Sequence, residues 1–367
     1  MFLISYLKLD WVDLLARLRE LRAELMAREL DAFVAIRDVR YLSGTTAASA
    51  VIVSMREPTL LCRRLEFDRA KRESVIKNIQ AYFPRRVPLR RGERVHFGEF
   101  WQLIAERLRE LNAQKVGYDG LGWETLRKLR DAYKADYREL PELIIEMRKI
   151  KSKREISWLR RAAGLAIKGM ARAAELIEEG RSELEIAAEA EYVMRRSGSE
   201  GTPFNTIVAS GKNSWLPHAT VTRGRLRRGE LIVVDLGAIY KGYASDMART
   251  FSLTTARKQL KLLNVVKRAQ EAAIKCVRDG VKAARVDKAA REVIRRAGYE
   301  KFCSHGIGHG VGLDIHEVPS LAPRSKDVLH EGMVITVEPG VYVPGLGGAR
   351  WEDIVLVTAK GHEILTQ

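Results

Sequence analysis

The sequence predicts an α/β domain over residues 1–145 followed by an α+β domain over residues 146–367 that contains an internal pseudo-twofold repeat. Three observations predict this. Short apolar, β-prone runs alternate with helical periodicity through the first part of the chain. Two segments of the second part match at a constant offset of 100 residues. Two predicted hairpins then follow the matching segments, and each carries a pair of acids placed symmetrically about its turn.

Residues 11–31 read as an amphipathic helix, with Leu14, Leu15, Leu18, Leu21 and Leu25 at helical spacing. DAFVAI, ASAVIVS and PTLLC are expected strands, and LEFDRAKRESVI a helix. NIQAYFP and QKVGYDG are strands flanking the helix FGEFWQLIAERLREL. Such alternation describes a sheet covered by helices. In PELIIEMRKIKSKREI, Pro141 breaks the chain before a long basic helix, which places the domain boundary at about residue 145.

Beyond it, helices are expected at 151–179, 182–197, 257–279 and 286–297. EEGRSELEIAAEAEYVMRRSG aligns with RDGVKAARVDKAAREVIRRAG: Gly180 meets Gly280, Ile186 meets Val286, Ala190 meets Ala290 and Val193 meets Val293. Arg195-Arg196 then meets Arg295-Arg296, and Gly198 meets Gly298. Downstream, Gly229, Val234, Asp235 and Gly237 line up with Gly332, Val337, Glu338 and Gly340. Two like amphipathic helices would account for the alanines and arginines but not for the matched acids. Repetition on this scale means two units that share a core, with the acids converging on the axis between them. TPFNTIVASGKNSWLPHAT, between the first copy's helices and its hairpin, reads as strand, turn and loop.

Composition narrows the function. With 46% hydrophobic and 30% charged residues the chain is an ordinary soluble protein, and no stretch reaches transmembrane length. The opening MFLISYLKLD lacks a basic leader and a small-residue cleavage pattern, so it is a poor signal peptide. Cys62, Cys276 and Cys303 are few and widely spaced, as free thiols in a reducing cytoplasm would be. The net charge of +17 is spread along helix faces without a nucleic-acid-binding signature, so nucleic acid is not the expected partner. Charge of both signs on helices also suits ion-pair networks that resist heat.

The acids carry the chemistry. Asp235 and Asp246 are equidistant from a turn centred on Tyr240-Lys241, and Glu338 and Glu352 from Gly345. Residues equidistant from a turn face each other, and like charges so placed destabilise a sheet unless a cation lies between them. Between the hairpins, CSHGIGHGVGLDIHEVP holds His305, His309 and His316, three of the chain's seven histidines. Its alternate glycines permit close backbone approach, and no Gly-Lys-Ser/Thr or GxGxxG element accompanies them, which excludes a phosphate loop. Four carboxylates and an imidazole favour Mn²⁺, Co²⁺ or Fe²⁺ over a cysteine-rich structural zinc. They carry enough negative charge for two divalent ions about 3.5–4 Å apart, an arrangement suited to hydrolysis.

In order, Asp235, Asp246, His309, Glu338 and Glu352, with His218 upstream in LPHAT and His316 seven residues after His309, resemble the pita-bread metallopeptidases. RYLSG, MRKIKSKREI, HGIGHGVGLDIHE and the N-terminal domain look like the Xaa-Pro peptidases, prolidase and aminopeptidase P. Methionine aminopeptidase shares the catalytic half without this N-terminal domain, and creatinase shares both domains without the metal ligands. The resemblance implies that Asp235 and Asp246 bind one metal, that His309 and Glu338 bind the other, and that Asp246 and Glu352 bridge. It implies Glu338 as proton acceptor, and His218 and His316 as substrate-holding residues that stabilise the developing oxyanion. It also implies Arg350 as a residue orienting the ligand carboxylates, with a surface arginine as the alternative. His305 becomes a pocket histidine, with a structural histidine as the alternative. Two divalent ions, Mn²⁺ or Co²⁺ with Fe²⁺ or Zn²⁺ as other options, follow from it. So do small peptides with proline in second position, a cytoplasmic location, and a homodimer in which one N-terminal domain borders the other subunit's pocket.

Trp215 and Trp351 depart from that family's small residues. By strand alternation Trp351 points away from the metals into the core, whereas Trp215 could reshape the pocket for the residue before proline. Ser320, in HEVPSLAP, stands where prolidases often have an arginine suited to a free proline carboxylate, which leans toward longer peptides. Two other classes stay open: a non-catalytic binding protein on the same fold, and a hydrolase of non-peptide amides.

Overall fold

A computed structural model describes residues 3–253 and 256–367. The chain divides into two compact units, Met1–Met147 and Arg148–Gln367.

In the first unit the leading helix spans Leu3–Ala27, so it starts and stops earlier than expected. Met1 and Phe2 of the opening run lie outside the described residues. Leu14, Leu18, Leu21 and Leu25 are buried as their spacing demands, while Leu15 is 39% exposed. Glu29 ends the helical path in the left-handed region at φ 54°. The sheet has seven strands in the order Val95–Phe97, Asn78–Phe83, Thr59–Arg63, Ala50–Ser54, Ala32–Ala35, Lys115–Tyr118 and Asp136–Glu139. Ala50–Ser54 is antiparallel to both neighbours, and the remaining pairs are parallel. The edge strands Val95–Phe97 and Asp136–Glu139 are short and mixed in pattern, and neither they nor the amphipathic helix Trp123–Ala132, which buries Leu126 and Leu129, were predicted from the sequence. Leu103, Ile104 and Leu108 of the helix Phe100–Leu111 pack on Val34, Ile52, Leu61 and Val116 of the sheet.

The second unit is the repeat. Its second helices, Glu183–Arg196 and Ala283–Arg296, are offset by 100 residues, as aligned. Gly180 and Gly280 precede them and Gly198 and Gly298 follow, all at positive φ. Gly180 N donates to Leu226 O and Gly280 N to Leu329 O, so each copy enters its helix in the same way. The helix Lys153–Glu175 starts at a reciprocal cap: Glu155 N donates to Ser152 Oγ, and Ser152 N donates to the Glu155 carboxylate. In the first copy this helix and Glu183–Arg196 cover the sheet Met247–Ser252, Leu231–Leu236, Ile207–Ser210. In the second, Arg257–Ile274 and Ala283–Arg296 pack with the five-stranded sheet built around Gly308–Gly310, Val334–Val337 and Asp353–Thr358. Leu159 and Ala163 join a core with Val334 and Ile354, tying the copies together.

One register differs from expectation. Asp235 pairs with Ala248, not Asp246, because Ile239 pairs with Ala244 and Tyr240 with Tyr243. The turn is therefore Lys241-Gly242, both at positive φ (53° and 81°), one residue later than counted. These dihedral signs fit the primed two-residue turns whose twist matches that of hairpin strands. The shift moves the opposing residue by two, so Asp246 stays on the same face as a diagonal neighbour of Asp235. The second hairpin keeps the expected register: Gly340 pairs with Arg350, Val343 with Gly347, and Val337 with Asp353.

Candidate metal centre

Asp235 is the penultimate residue of the strand Leu231–Leu236 and Asp246 immediately precedes Met247–Ser252. Glu338 and Glu352 lie between two ladders, Val334–Val337 with Asp353–Thr358 and Gly340–Val343 with Gly347–Arg350. There the backbone leaves the hairpin's own pairing: Glu338 N donates to Ile307 O (2.7 Å), and Glu352 N donates to Ala248 O (3.0 Å). The second bond fixes an acid of one copy on a strand of the other. His309 occupies the short strand Gly308–Gly310, squeezed between Glu317–Leu321 and Val334–Val337. A Cβ on Gly308 would collide with Thr336 O, and one on Gly310 with Val318 O, so the alternate glycines are what let these backbones close.

These elements bring all four predicted acids and the His309 imidazole to the wall of one cavity of about 800 Å³, together with His218, His305, His316 and Arg350. Ligating atoms of Asp246, His309 and Glu352 lie within 4.8 Å of one another. His309 Nε2 is 3.1 Å from Glu338 Oε1 and 3.8 Å from Asp246 Oδ2. His309 Nδ1 donates to Gly310 O at 2.9 Å, which leaves Nε2 facing the acids, where it donates to Glu338 when protonated and offers its lone pair to a cation when not.

The electrostatics call for a cation. Glu352 is 1% exposed, yet neither of its carboxylate oxygens has a hydrogen-bond partner; Asp235 Oδ1 is likewise buried and unpartnered. Burial pushes the Glu352 and Asp246 carboxyls well above their ordinary range, and neighbouring carboxylates push the same way. Burial also raises Asp235, against the pull of Arg350. At Glu338 burial is outweighed by the His309 hydrogen bond and the Arg350 charge, which hold its pKa at about 2. The same contact raises His309 despite its burial. Orphaned carboxylate oxygens packed around an imidazole nitrogen fit oxygen-preferring divalent ions, which satisfy lone pairs and neutralise charge together.

Arg350 is 4% exposed and therefore not a surface arginine. Its Nη1 donates to Asp235 Oδ2, its Nη2 to Pro217 O (3.0 Å) and its Nε to Tyr342 Oη (2.8 Å). Tyr342 Oη lies 3.0 Å from His305 Nε2, and His305 Nδ1 lies 2.7 Å from Gly306 O. The chain of partners makes His305 a neutral ring that accepts from Tyr342 and donates to Gly306, and burial lowers its pKa. His305 is thus both hydrogen-bonded and cavity-lining. His316 stacks edge-on against His309, ring centres 4.4 Å apart, and burial together with His309 lowers its pKa.

Trp351 packs against the second copy's core beneath Arg249 (4.7 Å) and Lys267 (3.9 Å), away from the acids, as strand alternation requires. Trp215 lies in the short helical turn Asn213–Trp215 and is not among the cavity-lining residues, whereas Ser320 is. Sequence reasoning missed Tyr342 and Glu183. It also missed the buried group in which Arg148 and Lys151 both pair with Glu317, beside His316. A charged residue within an apolar strand or helix face, as at Glu183, is a detectable signal; the partners of Tyr342 and Glu317 are set by folding alone.

The description "Metallopeptidase family M24" matches residues 157–359, and "Creatinase/Prolidase N-terminal domain" matches residues 17–150. A Xaa-Pro dipeptidase of Pyrococcus furiosus is 37% identical over 335 residues, 90% of this chain and 91% of that protein. The solved Xaa-Pro dipeptidase from Bacillus anthracis superposes with a TM-score of 0.88 at 31% identity, covering 96% of this chain and 98% of that one. The X-Pro aminopeptidase from Thermotoga maritima gives 0.82 at 31% identity, covering 92% and 96%. With its family signature, cavity and acid cluster in agreement, this chain is a metallopeptidase and belongs to family M24, on an N-terminal domain of the creatinase/prolidase type.

Proposed function

We propose that the protein hydrolyses the bond between an N-terminal residue and a following proline, with two divalent ions held by Asp235, Asp246, His309, Glu338 and Glu352. The observation that carries this reading is the unpartnered, buried Glu352 carboxylate beside Asp246 and His309, in a chain similar over nearly its whole length to Xaa-Pro dipeptidases. Mn²⁺ or Co²⁺ suits the donor set. When bound, such ions supply Lewis acidity toward the scissile carbonyl and lower the pKa of water. Glu338 Oε1 accepts the proton of the attacking water and returns it to the leaving proline nitrogen. His316 and His218 face the cavity, where an N–H from either steadies the carbonyl oxygen as negative charge develops. Arg350 orients Asp235 and opposes the effect of its burial through their direct ion pair.

Dipeptides are the favoured substrates, on the names of the relatives with 36–37% identity. Longer peptides are the second reading: Ser320 lines the cavity where a guanidinium would grip the carboxylate of a C-terminal proline. Residues 146–367 form the catalytic domain and residues 1–145 its N-terminal partner. The active form is a homodimer, and the free thiols Cys62, Cys276 and Cys303 suit a cytoplasmic setting.

The test is hydrolysis of Leu-Pro, Leu-Pro-Gly and Met-Ala-Ser by metal-stripped protein with Mn²⁺ or Co²⁺ restored. Metal-dependent cleavage of Leu-Pro is expected, with cleavage of Leu-Pro-Gly if the Ser320 reading holds. Preference for Met-Ala-Ser, or inactivity on all three with metal bound, would overturn the proposal.

A further inference from the structure

Glu183 begins the helix Glu183–Arg196 and is 1% exposed, outside the metal cluster. Its Oε1 accepts from Ser210 N (2.7 Å) and Ser210 Oγ (2.9 Å). Its Oε2 accepts from Asn213 Nδ2 (3.0 Å), Thr222 N (3.0 Å) and Thr222 Oγ1 (2.6 Å). Five neutral donors thus saturate one carboxylate, whose negative charge strengthens each bond and is favoured by the helix N-terminus.

The donors come from both ends of one loop. Ser210 ends the strand Ile207–Ser210, Thr222 lies past the loop, and His218 is between them. Asn213 Nδ2 also donates to Thr220 O (3.0 Å), closing the loop on itself. On the other side Gly348 N donates to Ser214 Oγ (3.0 Å), and Arg350 Nη2 donates to Pro217 O. The His218 ring makes no hydrogen bond among the described residues, so the loop backbone determines where it stands. The second copy shows that a helix at this place does not need the acid: the equivalent residue is Ala283. There the loop carrying His305 is held otherwise, by Arg291, which pairs with Asp287 and donates to His305 O (2.6 Å).

We infer that Glu183 is a positioning residue for His218, stapling both ends of the 211–221 loop so that the imidazole meets the substrate at a fixed place. The inference rests on the proposed role of His218 in holding substrate. Ser210 also ends the strand that pairs with Leu231–Leu236, so bound Mn²⁺ per chain separates an effect passed through Asp235 from one passed through His218.

The experiment is a double-mutant cycle with Glu183→Gln and His218→Ala, reading kcat and KM for Leu-Pro and bound Mn²⁺ per chain. Gln keeps the shape but turns one acceptor oxygen into a donor facing other donors. Glu183→Gln is expected to bind Mn²⁺ normally and to lose about 100-fold in kcat/KM, the scale of a displacement of about 1 Å. In the His218→Ala background the same change should cost less than about 3-fold, because the residue being positioned is gone. Losses that multiply in the double variant, or lost Mn²⁺ binding in Glu183→Gln, overturn the positioning role. A fully active His218→Ala overturns instead the reading of His218 on which the inference rests. Should Glu183→Gln not fold, Thr222→Val removes the Oγ1 donor and keeps the backbone N–H. A loss of about 5-fold that disappears in the His218→Ala background is then expected, and an unchanged kcat/KM for Thr222→Val overturns the inference.

Discussion

The two acid-bearing hairpins come from one repeated unit but place their carboxylates by different means. In the first, the Lys241-Gly242 turn slides the strands so that Asp246 lies diagonally from Asp235. In the second, the symmetric register persists on both sides of Glu338 and Glu352, while the acids' own backbone groups bond elsewhere. The difference teaches that the metal centre belongs to neither hairpin. Glu352 N is held by Ala248, Arg350 N by Thr250 Oγ1 (2.9 Å), and Arg350 neutralises Asp235. The second copy supplies the guanidinium that the first copy's Asp235 requires, and the first copy's strand Met247–Ser252 supplies the anchors for Glu352 and Arg350 of the second.

The largest effects should come from the acids themselves. Glu338→Ala is expected to lower Leu-Pro hydrolysis by at least about 10³-fold, since proton transfer and an ion ligand go together. Asp246→Ala should also strip the ions, read as metal per chain by elemental analysis. Full activity in either variant would remove these residues from the site.

Next is the link between copies. Arg350→Met leaves Asp235 buried without its partner, and urea denaturation of the metal-free protein should show a loss of about 3–5 kcal/mol. A negligible loss would mean that the hairpins are joined by backbone bonds alone.

The pH dependence has opposite signs with and without metal. In the metal-free protein Asp246 and Glu352 have folded pKa values above the ordinary 3.8 and 4.5. The folded state therefore binds more protons than the unfolded one, and stability falls as pH rises from about 4 toward the raised values. With ions bound the carboxylates must be ionised, so melting temperature should rise over the same interval. Parallel curves for the two forms would show that these acids do not hold the ions. By the same reasoning, Glu352→Gln should raise the melting temperature of the metal-free protein while abolishing activity.

The smallest effect belongs to Trp351, which neighbours Glu352 but faces the other way. Trp351→Leu should cost about 1–2 kcal/mol through lost packing and cation–π contact, with kcat/KM changed less than about twofold. A large loss of activity would mean that the second hairpin transmits strain from its core face to its acids.

Much of the candidate site was legible because residue types able to ligate a metal are scarce and fall here at strict spacing. The acids, the His309 strand and the repeat could be counted directly, and the helix offset of 100 residues reappears in the fold. The first hairpin's register was miscounted although the chain carries the signal: Gly242, at positive φ, marks the second turn residue. The short strands Val95–Phe97 and Asp136–Glu139 escaped notice because three or four residues at a sheet edge carry too little periodicity.

By itself, the sequence determined which side chains could bind ions, on which elements they lie, and that two similar units would face each other. Those properties follow from local periodicity, turn chemistry and residue type. Only the tertiary structure decided that Arg350 pairs with Asp235, that Tyr342 bridges Arg350 and His305, and that Glu183 gathers both ends of the His218 loop. Such contacts join residues far apart in the chain. A buried charge takes its partner from whichever donors packing brings within about 3 Å, and no one-dimensional spacing encodes that distance.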